Sequence, residues 1–182
     1  MLINLSNRCK NLVRWPSREV VDALMPDVFK PEYEKCRVII DCTEFRTEQP
    51  PGIDNRVFIF SHYKKGFRVK VLICCTPDGH ISLVSCCFGG KTTDAQITIE
   101  SGLIELLEPG DIVLADKGFP EIKSVIDSTG KSVLLVMPPF LENGEFTADE
   151  VAKTRSIASV RVHIERIMAR VRTYRIVDCF TQ

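Results

Sequence analysis

The order of strand-like and helix-like segments constrains the fold of this 182-residue chain more than any other feature of its sequence. Three strand-like runs come first: RVIID (37–41), FRVKVLICCT (67–76) and HISLVSCCF (80–88). The last two flank PDG (77–79), a strong hairpin signal. We therefore expect the three runs to form an antiparallel meander.

Helical and strand patterns alternate after the meander. A helix is expected over DAQITIESGLIELLE (94–108), then a buried strand at DIVLAD (111–116) and a helix over PEIKSVIDSTG that Gly130 closes. A strand at SVLLVMP (132–138) and a long helix, opened by a Thr147–Glu150 capping box, follow. Strands joined through helices are parallel, which predicts an α/β fold with a mixed sheet flanked by helices. This order is typical of the ribonuclease H-like architecture.

The segment before the meander is short and contains one expected helix. In WPSREVVDAL (15–24), Ser17 can cap a helix whose apolar residues recur at helical spacing. We treat residues 1–36 as an amino-terminal linker with this helix and residues 37–182 as one domain, since this length suits a single core.

Positive charge is concentrated near the carboxyl-terminal end of the sequence. The whole chain has 24 basic and 24 acidic residues, so its formal net charge is zero. From Lys153 to Arg175, however, seven basic residues stand against a single acid, Glu165. A neutral average therefore conceals a basic face that favours an anionic partner.

The cysteines and the longest apolar run exclude two classes of protein. The eight cysteines are expected to be reduced thiols, because the charged start of the chain does not resemble a signal peptide. None of them has the Cys-x2-4-Cys spacing of a zinc site. The longest apolar run, VLLVM (133–137), is too short to cross a bilayer, so no membrane partner is expected.

Asp41 is the most unexpected residue of the first strand. The preceding residues, Val38 to Ile40, describe a buried strand, which Asp41 continues with a carboxylate that is expensive to desolvate. A turn explains it poorly, because strand-like residues follow. Glu44 points to the opposite face of a regular strand and receives no role.

Two further acids lie where chemistry is expected. Asp116 ends the strand DIVLAD, at the edge of the sheet where sites collect, although an Asp before Lys117 and Gly118 also suits a simple turn. Glu165 falls about 115° from the centre of the apolar stripe of the long helix. Its alternative interpretation is a surface charge paired with Arg161, four residues earlier.

A meeting of Asp41, Asp116 and Glu165 would require divalent cations, because three carboxylates repel one another. An all-oxygen donor set suits Mg²⁺ or Mn²⁺. Two such ions can activate water and stabilise the leaving oxygen of a phosphodiester. The basic flank of the same helix would hold phosphates beside them through Arg161, Arg166, Arg170 and Arg172.

Six segments together resemble the Harbinger/PIF-like DDE-type transposases, a DDE superfamily endonuclease domain. They run in order from about Arg37 to Val177 and read VIIDCTEF, SHYKKGFRVKVLICCTPDGHISLVS, FGGKTTDAQIT, GDIVLADKGFP, MPPFL and EVAKTRSIASVRVHIERIMARVRTYRIV. The resemblance implies a ribonuclease H-like nuclease that binds two divalent ions and cuts DNA. It places the catalytic and metal-binding acids at Asp41, Asp116 and Glu165, with Asp94 auxiliary.

The same resemblance implies a biological setting. DNA is the expected substrate, with a homodimer or a separate DNA-binding partner protein, and the expected location is the nucleus, otherwise the cytoplasm. Full transposases have a DNA-binding module upstream and more helix after Val177, so we expect this chain to be truncated at its carboxyl end.

Two alternatives to an active nuclease remain. A domesticated, inactive domain could keep the fold as a DNA- or protein-binding module. A phosphatase of the haloacid dehalogenase type would also begin with DCT after an aliphatic strand, but it needs a second Asp where this chain has Thr43.

Overall fold

The computed structural model describes residues 10–140, 147–174 and 177. Its strands form one mixed sheet, which confirms the predicted combination of antiparallel and parallel pairing. The strands are β1 (Cys36–Arg46), β2 (Phe60–Ser61), β3 (Gly66–Cys75), β4 (Ile81–Val84), β5 (Phe88–Gly89), β6 (Ile112–Leu114) and β7 (Leu134–Val136).

The sheet is built around β1 and β3. The main path runs β2-β3-β1-β6-β7, and β4 and β5 also pair with β3. β3 is antiparallel to β1 and β4, whereas β6 is parallel to β1 and β7. The meander predicted from the PDG turn is therefore present, and Gly79 adopts the positive φ of +94° that the turn requires.

Helices cover both faces of the sheet. They are α1 (Arg18–Ala23), α2 (Ile53–Ile59), α3 (Asp94–Glu100), α4 (Leu103–Leu106), α5 (Pro120–Ser128) and α6 (Ala148–Arg172). One core lies between the sheet and α6 and includes Ile39, Leu114 and Ile164. The other lies under α3, α4 and α5 and includes Ile40, Val113 and Ile122. β1 thus sends alternate side chains into two separate cores.

Several expected boundaries were wrong. β1 continues past Asp41 to Arg46, so Asp41 lies in the middle of a strand. The helix expected over residues 94–108 is broken at Gly102, whose φ of +78° separates α3 from α4. Ser17 precedes α1 without capping it through its side chain, whereas the Thr147–Glu150 capping box of α6 is present.

The segment before β1 contributes to the core. Val21, Met25 and Phe29 are buried in the core that includes α6. Arg18 of α1 donates to Asp111, just before β6, over 2.7 Å. The segment therefore packs against the sheet, and the boundary at residue 36 stays a prediction.

Two further features concern the thiols and the helices of the described residues. The described cysteines are all free, with Cys86 and Cys87 exposed. Cys74 and Cys75 lie in opposite cores, as neighbours on a strand must. Within the same residues, no helix has the length and apolar character needed to span a membrane.

Candidate active site

Asp41 and Asp116 lie level with each other on neighbouring chain segments. β1 and β6 are parallel, and their last registered pair is Ile39 and Leu114. Each aspartate lies two residues further along its own segment. Because Ile39 and Leu114 both pack in the core below α6, the alternation of side chains directs both carboxylates toward that helix.

The surroundings of Asp41 disfavour its negative charge. They raise its pKa to about 6, mainly because the side chain is largely removed from water. The charges of Asp116 and Asp94 raise the pKa further, whereas Arg161 and the Cys42 backbone N–H act in the opposite direction. The charged form of Asp41 is therefore disfavoured mainly by burial, and a bound cation would stabilise that form.

Asp116 is held from two sides at the start of the turn after β6. Its Oδ1 accepts a hydrogen bond of 2.7 Å from the Lys117 backbone N–H. The same oxygen lies 3.3 Å from Nη1 of Arg161 on α6. The Asp116 side chain remains 51% exposed, so one flank of its carboxylate is open to solvent.

Arg161 occupies an unexpected position for a predicted DNA-binding residue. It is only 9% exposed, and its Nε is a buried donor without a hydrogen-bond partner among the described residues. Its guanidinium pairs with Asp116 and not with Glu165, so the alternative surface pair is not formed. The charge pattern predicts a basic helix face, but nothing in the sequence indicates that this arginine turns inward.

Glu165 is exposed and lies about 40° from Arg161 around α6. Across residues 10–140, 147–174 and 177, no three His, Cys, Asp or Glu side chains are close enough together to hold a metal ion. The structure thus brings two of the three predicted acids together.

Asp94 is held on the opposite side of β1. It begins α3, and its Oδ1 lies 3.0 Å from Nζ of Lys70 on β3. Its charge, after burial, also raises the pKa of the Cys42 thiol. Its carboxylate is close enough to Asp41 to act on the latter's pKa, yet Lys70 already provides its countercharge.

The remaining arginines of the predicted DNA surface divide between two faces of α6. Arg172 lies about 20° from Arg161 around the helix axis, whereas Arg166 and Arg170 lie about 140° and 180° away. Arg172 donates to Thr43 of β1 over 3.0 Å, which ties it to the sheet. Arg166 and Arg170 are exposed. DNA binding by these four residues stays a prediction, but they do not form one continuous surface.

The fold and the site define a class of protein: an α/β domain whose acidic pair lies on adjacent parallel segments of a mixed sheet. A family profile described as DDE superfamily endonuclease matches residues 40–182. The chain belongs to this family, whose members are transposase-type nucleases. Comparison with curated proteins and comparison with solved structures each returned no match.

Proposed function

We propose that this chain is the catalytic domain of a Harbinger/PIF-like, metal-dependent DNA endonuclease with a ribonuclease H-like core. Asp41, Asp116 and Glu165 are its catalytic carboxylates. The observation that carries the proposal is the level placement of Asp41 and Asp116, two residues beyond the Ile39–Leu114 pair. DNA is the substrate, and a nuclear location follows from this role.

The donor chemistry of the site fits Mg²⁺ or Mn²⁺. Carboxylate oxygens are the ligands that these hard cations prefer, and a cation would stabilise the charged form of Asp41, which burial disfavours. Asp41 and Asp116 would hold the metal together with Glu165 from α6. When bound, such ions supply a nucleophilic water and stabilise the leaving oxygen of a phosphodiester.

The protein's own residues prepare this site in the absence of metal. The pairing of Asp41 with Ile73 of β3 holds it in place on β1, and the β1–β6 pairing ends two residues before it, at Ile39. Arg161 offsets part of the negative charge of Asp116 across 3.3 Å. Glu165, one helical turn later, is exposed and free to change its rotamer toward the pair.

Nicking of supercoiled plasmid tests the proposal. The purified chain is incubated with plasmid and Mn²⁺ or Mg²⁺, beside Asp116→Asn, Glu165→Gln and a control, Glu121→Gln, which alters an exposed carboxylate on α5. We expect the parent and the control to nick and both site variants to lose nicking at least a hundredfold. Equal nicking by all four, or none by the parent, rejects the proposal.

A binding module without catalysis is the second candidate function. Within the described residues the acids form a pair and not a trio, and a guanidinium already faces Asp116. Such a domain would bind DNA with an affinity that Asp116→Asn does not lower, and it would not nick plasmid at any Mn²⁺ concentration. The same set of variants therefore separates the two functions.

A further inference from the structure

A basic groove lies along the end of β1, beyond Asp41, and is lined by side chains of that strand, of β3 and of α6. It encloses about 580 Å³, which is within the usual size range of ligand sites. Its cationic lining consists of Arg46, Lys64, Arg68, Lys70 and Arg172, and its acids are Glu44 and Asp94. Cys42 and Tyr63 complete the lining. Positive charge is thus in clear excess, although the whole chain is neutral.

Two of these cations are placed directly opposite each other. Arg46 on β1 is the register partner of Arg68 on β3. Like charges in this position are destabilising, so the sheet tolerates a repulsion that a bound anion would remove. The Arg68 Nε is buried and makes no hydrogen bond among the described residues, and its nearest countercharge is Glu44 Oε2 at 3.7 Å. The pair therefore points to an anionic ligand.

The acids of the groove are already neutralised by their neighbours. Glu44 lies 3.9 Å from Lys70 and 3.7 Å from Arg68, and it accepts a hydrogen bond from Ser61. Asp94 is paired with Lys70 over 3.0 Å. No carboxylate among the described residues lies within ion-pair distance of the three remaining cations, which are Arg46, Lys64 and Arg172.

An exposed aromatic ring stands at the rim. Tyr63 is 82% exposed at the tip of the turn between β2 and β3, and Nζ of Lys64 lies 4.5 Å from the centroid of its ring. Its neighbours His62 and Lys65 are exposed as well. A cationic groove with an accessible aromatic face is the combination that binds single-stranded nucleic acid, because phosphates pair with the cations and a base stacks on the ring.

We infer that this groove binds a single-stranded segment of DNA, with phosphates on Arg46, Lys64 and Arg172 and an unpaired base on Tyr63. Asp94 links it to the candidate active site, because this residue lines the groove and its charge acts on Asp41. A strand in the groove would therefore lead toward the acidic pair. The choice of DNA as the ligand rests on the proposed function, but the anion-binding chemistry does not.

Fluorescence anisotropy in EDTA tests the groove without any cleavage. The probes are a labelled 20-nucleotide single-stranded DNA and its duplex, with unlabelled polyglutamate as competitor. The variants are Arg46→Glu/Lys64→Glu and Tyr63→Ala, with Lys123→Glu and Tyr63→Phe as their matched controls. Lys123 is an exposed lysine on α5 outside the groove lining, and the variant side chains are exposed, so the fold should survive.

We expect the double charge reversal to weaken single-strand binding at least tenfold and to reduce the salt slope by about 1.4, the value for two lost phosphate contacts. Tyr63→Ala should weaken single-strand binding about fivefold or more and leave duplex binding nearly unchanged, because stacking needs an unpaired base. Both controls should bind like the parent, and polyglutamate should compete poorly.

Three results would overturn the inference: a charge reversal with no more effect than Lys123→Glu, equal binding by Tyr63→Ala and Tyr63→Phe, or polyglutamate that competes as well as unlabelled DNA. The plasmid assay keeps this outcome apart from the proposed function. Asp116→Asn does not alter the groove. If this variant loses nicking while the charge reversal leaves single-strand binding unchanged, only the groove inference is rejected. If the groove variants weaken single-strand binding as expected but the parent never nicks plasmid, only the proposed nuclease function is rejected.

Discussion

Nη1 of Arg161 lies 3.3 Å from Oδ1 of Asp116, so a buried cation is paired with a half-exposed carboxylate at the candidate active site. The same guanidinium lowers the pKa of Asp41, against the larger effect of burial. One side chain of α6 therefore serves as the countercharge of both aspartates. A divalent metal ion would have to share these carboxylates with it.

Replacement of Arg161 by Met should tighten the binding of Mn²⁺ by about three- to tenfold, because the metal no longer competes with a guanidinium for Asp116. Arg161→Lys keeps the charge and should stay close to the parent. Isothermal titration calorimetry measures both affinities directly. Unchanged or weaker metal binding by Arg161→Met would contradict the role of Arg161 as countercharge.

Asp41 should make the stability of the protein depend on pH. Its pKa is raised to about 6 in the folded state, so between about pH 4 and pH 6 the folded protein holds a proton that the unfolded chain releases. Stability then falls as pH rises through this window and stays low above it. The loss is at most about 3 kcal/mol for a shift of this size.

Asp41→Asn isolates this contribution from all other titrations. In EDTA, urea unfolding should show the variant to be more stable than the parent at pH 7.5 and equal to it at pH 4. Addition of Mg²⁺ should stabilise the parent at pH 7.5 more than the variant, since a cation stabilises only the ionised carboxylate. A difference between parent and variant that does not change with pH would refute this account.

Asp111 should be essential for stability. It is 2% exposed and accepts hydrogen bonds of 2.7 Å from both Arg18 and the Glu108 backbone N–H. It is also the carboxylate nearest to buried Arg37, at 3.9 Å. Asp111→Ala leaves buried Arg37 with only the more exposed Glu108 at 4.0 Å as its countercharge, which should lower the free energy of unfolding by about 3 kcal/mol.

Asp27 provides the matched control for that change. Its side chain is 99% exposed and pairs with Lys30 over 3.2 Å. Asp27→Ala should therefore alter the free energy of unfolding by no more than about 0.5 kcal/mol in the same urea titrations. Similar losses in both variants would mean that the buried cluster around Asp111 is not the anchor of the amino-terminal segment.

Local signals predicted the parts of the fold that depend on neighbouring residues. The PDG turn is enough to define the hairpin of β3 and β4, and the Thr147–Glu150 capping box defines the start of α6. Asp41 could be singled out because a charge within an aliphatic strand has a desolvation cost wherever that strand lies. Its partner Asp116 followed from the position of sites at strand ends.

The unpredicted parts depend on contacts between distant segments. Arg161 turns inward because Asp116 lies against α6. The sequence of α6 alone does not reveal where Asp116 lies. α2 was missed because it spans only seven residues and follows PPG (50–52), which indicates a loop. The break between α3 and α4 depends on the conformation of one residue, Gly102, within an otherwise periodic pattern.

Gly89 should tolerate no side chain. An added Cβ would lie 2.5 Å from the carbonyl oxygen of Phe58 and 2.6 Å from its ring. Gly89→Ala must therefore move α2 away from β5 and should cost about 1–3 kcal/mol of unfolding free energy. Gly66→Ala is the control, because its Cβ would have no atom nearer than Lys64 O at 4.0 Å. A loss in the control as large as in Gly89→Ala would exclude the close approach to Phe58 as the cause.

Glu165 and Asp94 compete for the place of third acid beside Asp41 and Asp116. Lys70 lies 3.0 Å from Asp94 and already occupies its carboxylate, whereas exposed Glu165 has no such partner among the described residues. Glu165→Gln should therefore weaken Mn²⁺ binding at least tenfold, since it removes a ligand charge.

Asp94→Asn, measured by the same calorimetry, should weaken Mn²⁺ binding less than threefold, because the residue acts on the site only through its charge near Asp41. Its larger effect should be the release of Lys70, which would then be free to bind phosphate. The reverse order of the two losses would identify Asp94 as the third ligand and would leave Glu165 as a surface residue of α6.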